Sequence, residues 1–382
     1  MHLKSLTPVN DSEPAAPAQG PGPQSRPEQA DELVRQAMLD AIDRVADVHG
    51  DRASRDLAEA GHWPEALWQD LLALGLTKAA LAAEDGGADL MLSDLLPILG
   101  RLAYHALPVP IAETAIALTL ARHSGFLPPS AWFDEALSFG LIDAQGRLSG
   151  LAFGQACRAV LVAKGQGDHA SLAWIDIRSP STARVAGRNL AGDACVDLQW
   201  PITALDELHS QPLPHADRWL MQAGALLRSV QMSQAMSKAL HLSLQFANER
   251  VQFGKPIGKF QAVQHMLAVM ASEVAAASAI VQAATDAFAR SSWPDAADAD
   301  RCEWWVGAAK ARCGEAASKV FEIAHQVHAA MGYTREHVLH FTTRRLLVWR
   351  DSFGAESYWQ QLIGRQAMDL GPRKLWSKLV ES

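Results

Sequence analysis

The stretch Arg250–Gln264 reads RVQFGKPIGKFQAVQ. It joins two long segments in which apolar residues recur every three or four positions, the spacing of amphipathic helices. Within residues 250–258, an arginine, a lysine and two glycines in so tight a connection can present a guanidinium and backbone N–H groups to a pyrophosphate. The same spacing fits a helix hairpin with ordinary turn glycines, and the residues alone leave both interpretations open.

The regions around this connection differ in their hydrophobic pattern. Residues 215–382 carry long helical periods and predict a bundle, while residues 31–124 predict a shorter helical domain. Residues 125–214 show short apolar runs broken by Gly, Asp and Ser, typical of a small antiparallel β domain. Residues 1–30 hold six prolines and predict a disordered tail. The predicted fold class is therefore α+β, mostly α: an N-terminal helical domain, a middle antiparallel β domain and a C-terminal four-helix bundle.

Composition excludes several classes of function. The 382 residues include 42 acidic and 34 basic side chains, a net charge of −8, which argues against a nucleic-acid-binding protein. No apolar stretch of about 18 uncharged residues predicts a membrane span, and the N-terminus lacks the apolar core of a secretion signal. Four cysteines without a CxxC pair favour a reducing, cytoplasmic compartment. We also expect no metal site, because no Cys or carboxylate set accompanies the histidines at helical spacing.

No glycine-rich nucleotide motif of the common kinds is present. The chain has neither GxGxxG after a strand nor GxxxxGK[ST], so a Rossmann or P-loop site is not supported.

A second segment, Gln326–Tyr333, reads QVHAAMGY. Together with Arg250–Gln264 it resembles the signature segments of the acyl-CoA dehydrogenase family, in the expected order, and the helical–β–helical layout is similar along nearly the whole chain after residue 30. The resemblance implies FAD as cofactor, an acyl-CoA thioester as substrate and α,β-dehydrogenation. In that reaction a carboxylate removes the α-proton while the β-hydrogen leaves as hydride to the flavin. It further implies lipid or steroid catabolism, an oligomer and an electron-accepting partner protein.

The resemblance also implies which residues contact the cofactor. Those of the first segment would contact the diphosphate and adenine side of FAD, and those of the second would contact the adenosine end of an FAD held by a neighbouring subunit. They are Arg250, Gln252, Phe253, Gly254, Gln261, Gln326 and Gly332.

Three departures from the family pattern bear on activity. A Gly-Gly pair usual in the second segment is Ala329-Ala330 here, and the added methyl groups could crowd the cofactor. The segment before Asp176 lacks the Thr-Glu-Pro and Trp-x-Thr stretches that cover the flavin ring. The usual catalytic Glu falls on Phe353, and the family's alternative position for that base, on an earlier helix, falls near Gly224. Both usual carboxylate positions are therefore vacant.

Two acidic residues flank the vacant position. Asp351 could act as the base if the loop is shifted, whereas Glu356 fits better as an acidic residue at a helix start. The leading hypothesis is the degenerate half of a heteromeric acyl-CoA dehydrogenase, in which an unlike chain supplies the base. The alternatives are a self-sufficient homomeric dehydrogenase that uses Asp351, and a flavin-free scaffold of the same fold.

Overall fold

The computed structural model describes residues 26–291, 293 and 295–380. Residues 1–25 of the predicted disordered tail, which spans residues 1–30, lie outside the described residues. The last five residues of the tail, Arg26–Ala30, belong to the first helix.

Five helices form the N-terminal part. Asp51 caps the second of them by accepting a hydrogen bond from the Ser54 N–H, and Pro64 and Pro110 precede the third and fifth. The fifth helix is buried on every side from Ile111 to Ala121 because it lies between its neighbouring helices and the first strand. The helices are α1 Arg26–His49, α2 Arg52–Glu59, α3 Glu65–Ala73, α4 Leu92–Tyr104 and α5 Ile111–His123.

The middle part is built from two small sheets. Their strands are β1 Leu137–Leu141, β2 Arg147–Ala152, β3 Ala159–Lys164, β4 Ser171–Asp176, β5 Ala183–Arg188, β6 Ala194–Gln199 and β7 Ser210–Pro212, with a short helix α6 Ile202–Asp206 before β7. One sheet has the order β1-β3-β4-β7 and the other β2-β6-β5. Neighbouring strands are antiparallel except β1 and β3, which are parallel because the chain leaves the first sheet to form β2 and then returns.

The C-terminal part is a bundle of long helices around α7. Its elements are α7 Ala216–Glu249, β8 Val251–Gln252, β9 Lys255–Pro256, α8 Gln261–Ala289, α9 Ala296–His328, α10 Ala330–Tyr333, α11 Leu339–Asp351 and α12 Glu356–Val380. Helix α7 packs against α4, α8, α9 and α11, so a continuous apolar core joins the bundle to the other two parts. The third long helix of the bundle, α9, ends at His328. The predicted fold class, mostly helical with a small antiparallel sheet region, is confirmed.

Helix α8 differs from the other bundle helices in its outer surface. By length and composition alone it is apolar enough to cross a membrane, and only 28% of its most apolar 18-residue window is buried. Its inner face packs against α7 and α9. Most of its exposed residues are Ala or Ser, with few charges among them. This largely uncharged outer surface is the α8 face.

Candidate active site

The connection between α7 and α8 is a two-residue β-hairpin. β8 and β9 pair in antiparallel fashion across Phe253 and Gly254, which have φ values of 51° and 79°. Two successive positive φ angles are those of a type I′ turn, for which glycine suits the second position. Gly258 lets the hairpin pack closely on α7, because a Cβ there would lie 3.1 Å from the Ala247 carbonyl oxygen.

The hairpin presents a cation and an aromatic ring to the outside. The Arg250 side chain is exposed, and within the described part of the chain its guanidinium forms no hydrogen bond or ion pair. The Phe253 side chain is 93% exposed, although its ring makes an edge contact with Phe260. Gln261 is exposed at the first position of α8, whereas the Gln252 amide donates to the Val251 carbonyl oxygen. The first segment thus offers a free guanidinium and an exposed amide on one side of the bundle.

The second segment lies at the same end of the bundle. His328, in the last turn of α9, stacks on Phe246 in the last turn of α7, with ring centroids 4.5 Å apart. Gln326 is exposed, and Gly332 is buried with little space, since a Cβ there would lie 3.0 Å from His328 Cβ. The fold therefore places the two segments that carry the resemblance at one end of α7 and α9.

The replacement of the family pattern's Gly-Gly pair by Ala329-Ala330 affects the backbone conformation of this segment. Ala329 breaks α9 from α10 with φ 49° and ψ −137°, a conformation that glycine adopts readily and alanine rarely. Ala329 and Ala330 are both exposed. The alanine thus strains a turn that the glycine of the family pattern would form freely.

Buried histidines fill the space beneath this turn. His328 donates from Nδ1 to the Ala324 carbonyl oxygen at 2.8 Å, while His328 Nε2 and His325 Nδ1 have no partner among the described residues. Burial lowers the pKa of His328 to about 4 and also lowers the pKa values of His325, His337 and His340. These histidines are neutral near pH 7. The described residues form no His, Cys and carboxylate group suited to a metal ion.

A cavity of about 510 Å³ lies where the three parts of the chain meet. Its walls come from α4 and α5, from β1 and β2, and from α7 and α11 with the loop that follows it. Most of its lining is apolar, as in ligand sites generally. Of the sequence-derived candidates for the reaction, Asp351 and Phe353 line it, and Glu356 does not.

Phe353 and Gly224 are in direct contact. An ideal Cβ on Gly224 would lie 2.2–2.4 Å from three carbons of the Phe353 ring. The ring also stacks on Phe139 of β1, with centroids 5.5 Å apart. The two positions where the family pattern expects a base thus form a single place in the fold, which the phenyl ring fills. Neither residue has a group able to accept a proton.

The loop carrying Phe353 is held by two buried side chains. Phe353 and Gly354 have φ values of 53° and 86°. The Lys310 amine, fully buried, donates to the Arg350 and Gly354 carbonyl oxygens at 2.5 and 2.7 Å, and Trp359 Nε1 donates to the Phe353 carbonyl oxygen at 2.9 Å. Burial lowers the pKa of Lys310 to about 8. These bonds fix a loop conformation that is unusual for phenylalanine.

Asp351 lies at the edge of the cavity and is well solvated. Its side chain is 63% exposed and accepts a hydrogen bond from Arg350 Nε at 3.0 Å. Glu356 starts α12, as expected for an acidic residue at a helix N-terminus, and packs on Gly314 of α9. A solvated carboxylate paired with arginine lacks the environment that tunes a general base.

Two buried ion pairs in the cavity wall were not predicted. Arg228 Nη1 donates to Glu113 at 2.6 Å, with both side chains at least 93% buried, and Arg345 pairs with Asp193 at similar burial. The available signal was a single Glu inside the otherwise uncharged run Ile111–Leu120, since a charge there demands a buried partner. The partner lies 115 residues further along the chain, beyond the reach of local patterns.

Comparisons with known proteins support the resemblance to acyl-CoA dehydrogenases. Residues 216–368 match the family described as "Acyl-CoA dehydrogenase, C-terminal domain". The acyl-CoA dehydrogenase IpdE2 of Mycolicibacterium smegmatis is 26% identical over 316 residues, covering 82% of this chain and 91% of that protein.

Solved structures show the same fold. A chain of a variant of the "Tcur3481-Tcur3483 steroid ACAD" superposes with a TM-score of 0.76 at 19% identity, covering 90% of this chain and 98% of the other. A chain of the ChsE4–ChsE5 complex from Mycobacterium tuberculosis gives 0.76 at 18% identity, covering 89% and 98%. These likenesses show that residues 216–368 form a C-terminal domain of the acyl-CoA dehydrogenase family and that the chain has the fold of the compared acyl-CoA dehydrogenases.

Proposed function

We propose that this chain is one subunit of a heteromeric, FAD-dependent acyl-CoA dehydrogenase, and that an unlike subunit supplies the catalytic base. The observation that carries the proposal is the contact between Phe353 and Gly224. A chain that had moved its base between the two family positions would keep a carboxylate at one of them. Loss of a general base lowers rates by orders of magnitude, so this chain needs one from elsewhere.

The residues present fit an FAD diphosphate at the hairpin. Arg250 offers a guanidinium with no partner among the described residues, and a guanidinium is the preferred partner of phosphate oxygens. Phe253 and Gly254 form the turn beside it. Gln261 is exposed at the start of α8 and would support the same cofactor, whereas Gln326 and Gly332 would meet the adenosine end of an FAD held by a neighbouring subunit. When bound, FAD supplies the hydride acceptor for oxidation at the α,β-bond of an acyl-CoA. The role of this chain is to hold part of the cofactor.

Two surface features support a partner subunit. The α8 face is long and largely uncharged, and the nearly fully exposed Phe253 lies at the tip of the hairpin just before α8. Exposed apolar surface of this extent marks an interaction site. Both compared structures are of proteins named for two components, and one of them is named a steroid enzyme. We therefore propose an unlike acyl-CoA dehydrogenase chain as partner, a role in lipid or steroid catabolism, a cytoplasmic location, and a separate electron-accepting protein.

A self-sufficient homomeric enzyme is the second candidate, because Asp351 does line the cavity. Co-expression with an adjacent acyl-CoA dehydrogenase gene distinguishes the heteromeric enzyme from the homomeric one. The readouts are absorption in the flavin bands and reduction of a dye in the presence of a panel of acyl-CoA thioesters. We expect an active yellow complex whose activity survives Asp351→Asn, and an inactive chain when purified alone. Arg250→Ala should lower flavin content, with Arg290→Ala, another exposed arginine, as the matched control.

Activity of the chain alone that Asp351→Asn abolishes would establish the homomeric enzyme instead. A colourless protein under both conditions would establish the flavin-free scaffold.

A further inference from the structure

The 510 Å³ cavity contains a buried polar cluster that the proposed reaction does not use. Glu113 of α5 and Arg228 and Gln231 of α7 all line it and are 4%, 6% and 5% exposed. We call these three residues the Glu113 cluster. Arg228 Nη1 donates to Glu113 Oε1 at 2.6 Å and to Gln231 Oε1 at 2.5 Å. One nitrogen thus holds all three side chains together.

The cluster retains unused hydrogen-bonding capacity. Among the described residues no partner is seen for Glu113 Oε2, Arg228 Nη2 or Gln231 Nε2, and these atoms are not sealed from solvent as Arg228 Nε is. Because the three side chains line the cavity, their free atoms are available to whatever occupies it. The cluster therefore offers one acceptor, the carboxylate oxygen, beside two donors.

Charge decides what kind of ligand the cavity accepts. The guanidinium and carboxylate of the Glu113 cluster sum to zero, and so does the second buried pair, Asp193 with Arg345. The carboxylate of Asp351 at the cavity edge is compensated by Arg350. A ligand carboxylate or ammonium would bring an uncompensated charge into a buried site, which is costly. A pure hydrocarbon filling the cavity would leave Arg228 Nη2 and Glu113 Oε2 without a hydrogen-bond partner. Neither extreme suits the cavity.

We infer that this cavity is a binding site for an uncharged apolar alcohol, and that the chain binds it without oxidising it. A hydroxyl group accepts a hydrogen bond from Arg228 Nη2 while it donates to Glu113 Oε2. The remaining walls, with Leu102, Leu107, Val109 and Phe139, cover an apolar body. A cavity of this volume lies within the range of small-molecule sites. No proton is removed, because Glu113 is engaged by Arg228 and the base position holds Phe353.

Titration calorimetry on the full chain, with three ligands that share one ring system, tests whether the cavity prefers an alcohol to a hydrocarbon or a carboxylate. The ligands are 2-indanol, indane and indane-2-carboxylate. We expect 2-indanol to bind about 10- to 100-fold more tightly than indane, because indane leaves the buried polar atoms unpaired. The carboxylate should bind no better than indane. Equal affinity for 2-indanol and indane, or no binding of 2-indanol, overturns the inference.

Variants test whether the Glu113 cluster causes the preference for 2-indanol over the other two ligands. Glu113→Gln keeps the shape but leaves Arg228 uncompensated, so indane-2-carboxylate should become the tightest of the three ligands. The apolar replacement Glu113→Leu with Arg228→Met should remove the preference for 2-indanol, and it also serves if the first variant fails to fold. Leu72→Met on α3, outside the lining, should leave the order unchanged. A preference for 2-indanol that persists in the double variant overturns the inference.

These measurements need neither FAD nor an acyl-CoA. Failure of the alcohol to bind leaves the heteromeric dehydrogenase standing, and a colourless protein leaves the alcohol site standing.

Discussion

The contact between Phe353 and Gly224 predicts a specific energetic coupling. Replacing Gly224 with Ala places a methyl group 2.2–2.4 Å from ring carbons of Phe353, whereas carbon atoms normally rest about 3.5–4.0 Å apart. The ring must therefore move by more than about 1 Å. It cannot move easily, because Lys310 and Trp359 hold its loop. Overpacking of this kind costs about 1–3 kcal/mol, and we expect Gly224→Ala to lie at the upper end.

Removing the ring should reverse the sign of this effect. In a Phe353→Ala background the new methyl group enters free space, and alanine in a helix interior gains about 1 kcal/mol over glycine. The coupling energy between the two positions should therefore be about 2–4 kcal/mol.

The assay is equilibrium unfolding in denaturant of the wild type, both single variants and the double variant. Gly364→Ala on α12 is the matched control, since a Cβ there meets nothing within 4 Å, and it should stabilise the chain or leave it unchanged. If Gly224→Ala has the same effect with and without the Phe353 ring, the contact is not as described.

Three further predictions concern the loop, the strained turn and the buried histidines. Lys310→Met leaves the carbonyl oxygens of Arg350 and Gly354 without their buried, charged donor and should lower the free energy of unfolding by about 2–4 kcal/mol, measured in denaturant. An effect below about 0.5 kcal/mol would contradict this role. Ala329→Gly relieves the positive φ and should stabilise the chain by about 1 kcal/mol, while Ala330→Gly, within α10, should not; equal effects on thermal midpoint would refute the strain. Because burial lowers the pKa of His328 from 6.5 to about 4, the unfolded chain binds its proton first as the pH falls. Its contribution, up to about 3 kcal/mol, is present above pH 6.5 and is lost as the pH falls from 6.5 to about 4. His328→Phe should flatten that part of the stability profile and the exposed His241→Asn should not; an unchanged slope in the first variant would contradict the assignment.

Local sequence patterns were sufficient for the fold class and for a tight connection between α7 and α8, but not for the β-hairpin that forms this connection. Helical and strand periods reach only a few residues, and glycines in a short connection between two helical periods define the turn around Phe253 and Gly254. The resemblance identified Phe353 and Gly224 separately, by counting along the chain. That the phenyl ring fills the space above the glycine is a tertiary fact, which counting cannot supply.

The Glu113 cluster marks the limit of sequence reasoning more clearly. A lone Glu in the apolar run of α5 signals a buried partner but does not name it, and Arg228 is separated from it by the whole β domain. The strain at Ala329 was also beyond local patterns, because alanine favours continued helix and only packing forces the turn. In both cases long-range packing decides what the local sequence leaves open.

The central claim is that this chain holds part of an FAD site but supplies no base. The most direct measurement is exchange of the α-protons of acyl-CoA thioesters with deuterium from the solvent, followed by NMR. We predict no exchange with this chain alone, and exchange with the two-chain complex that is unchanged by Asp351→Asn in this chain. Exchange catalysed by this chain alone and abolished by Asp351→Asn would contradict the account.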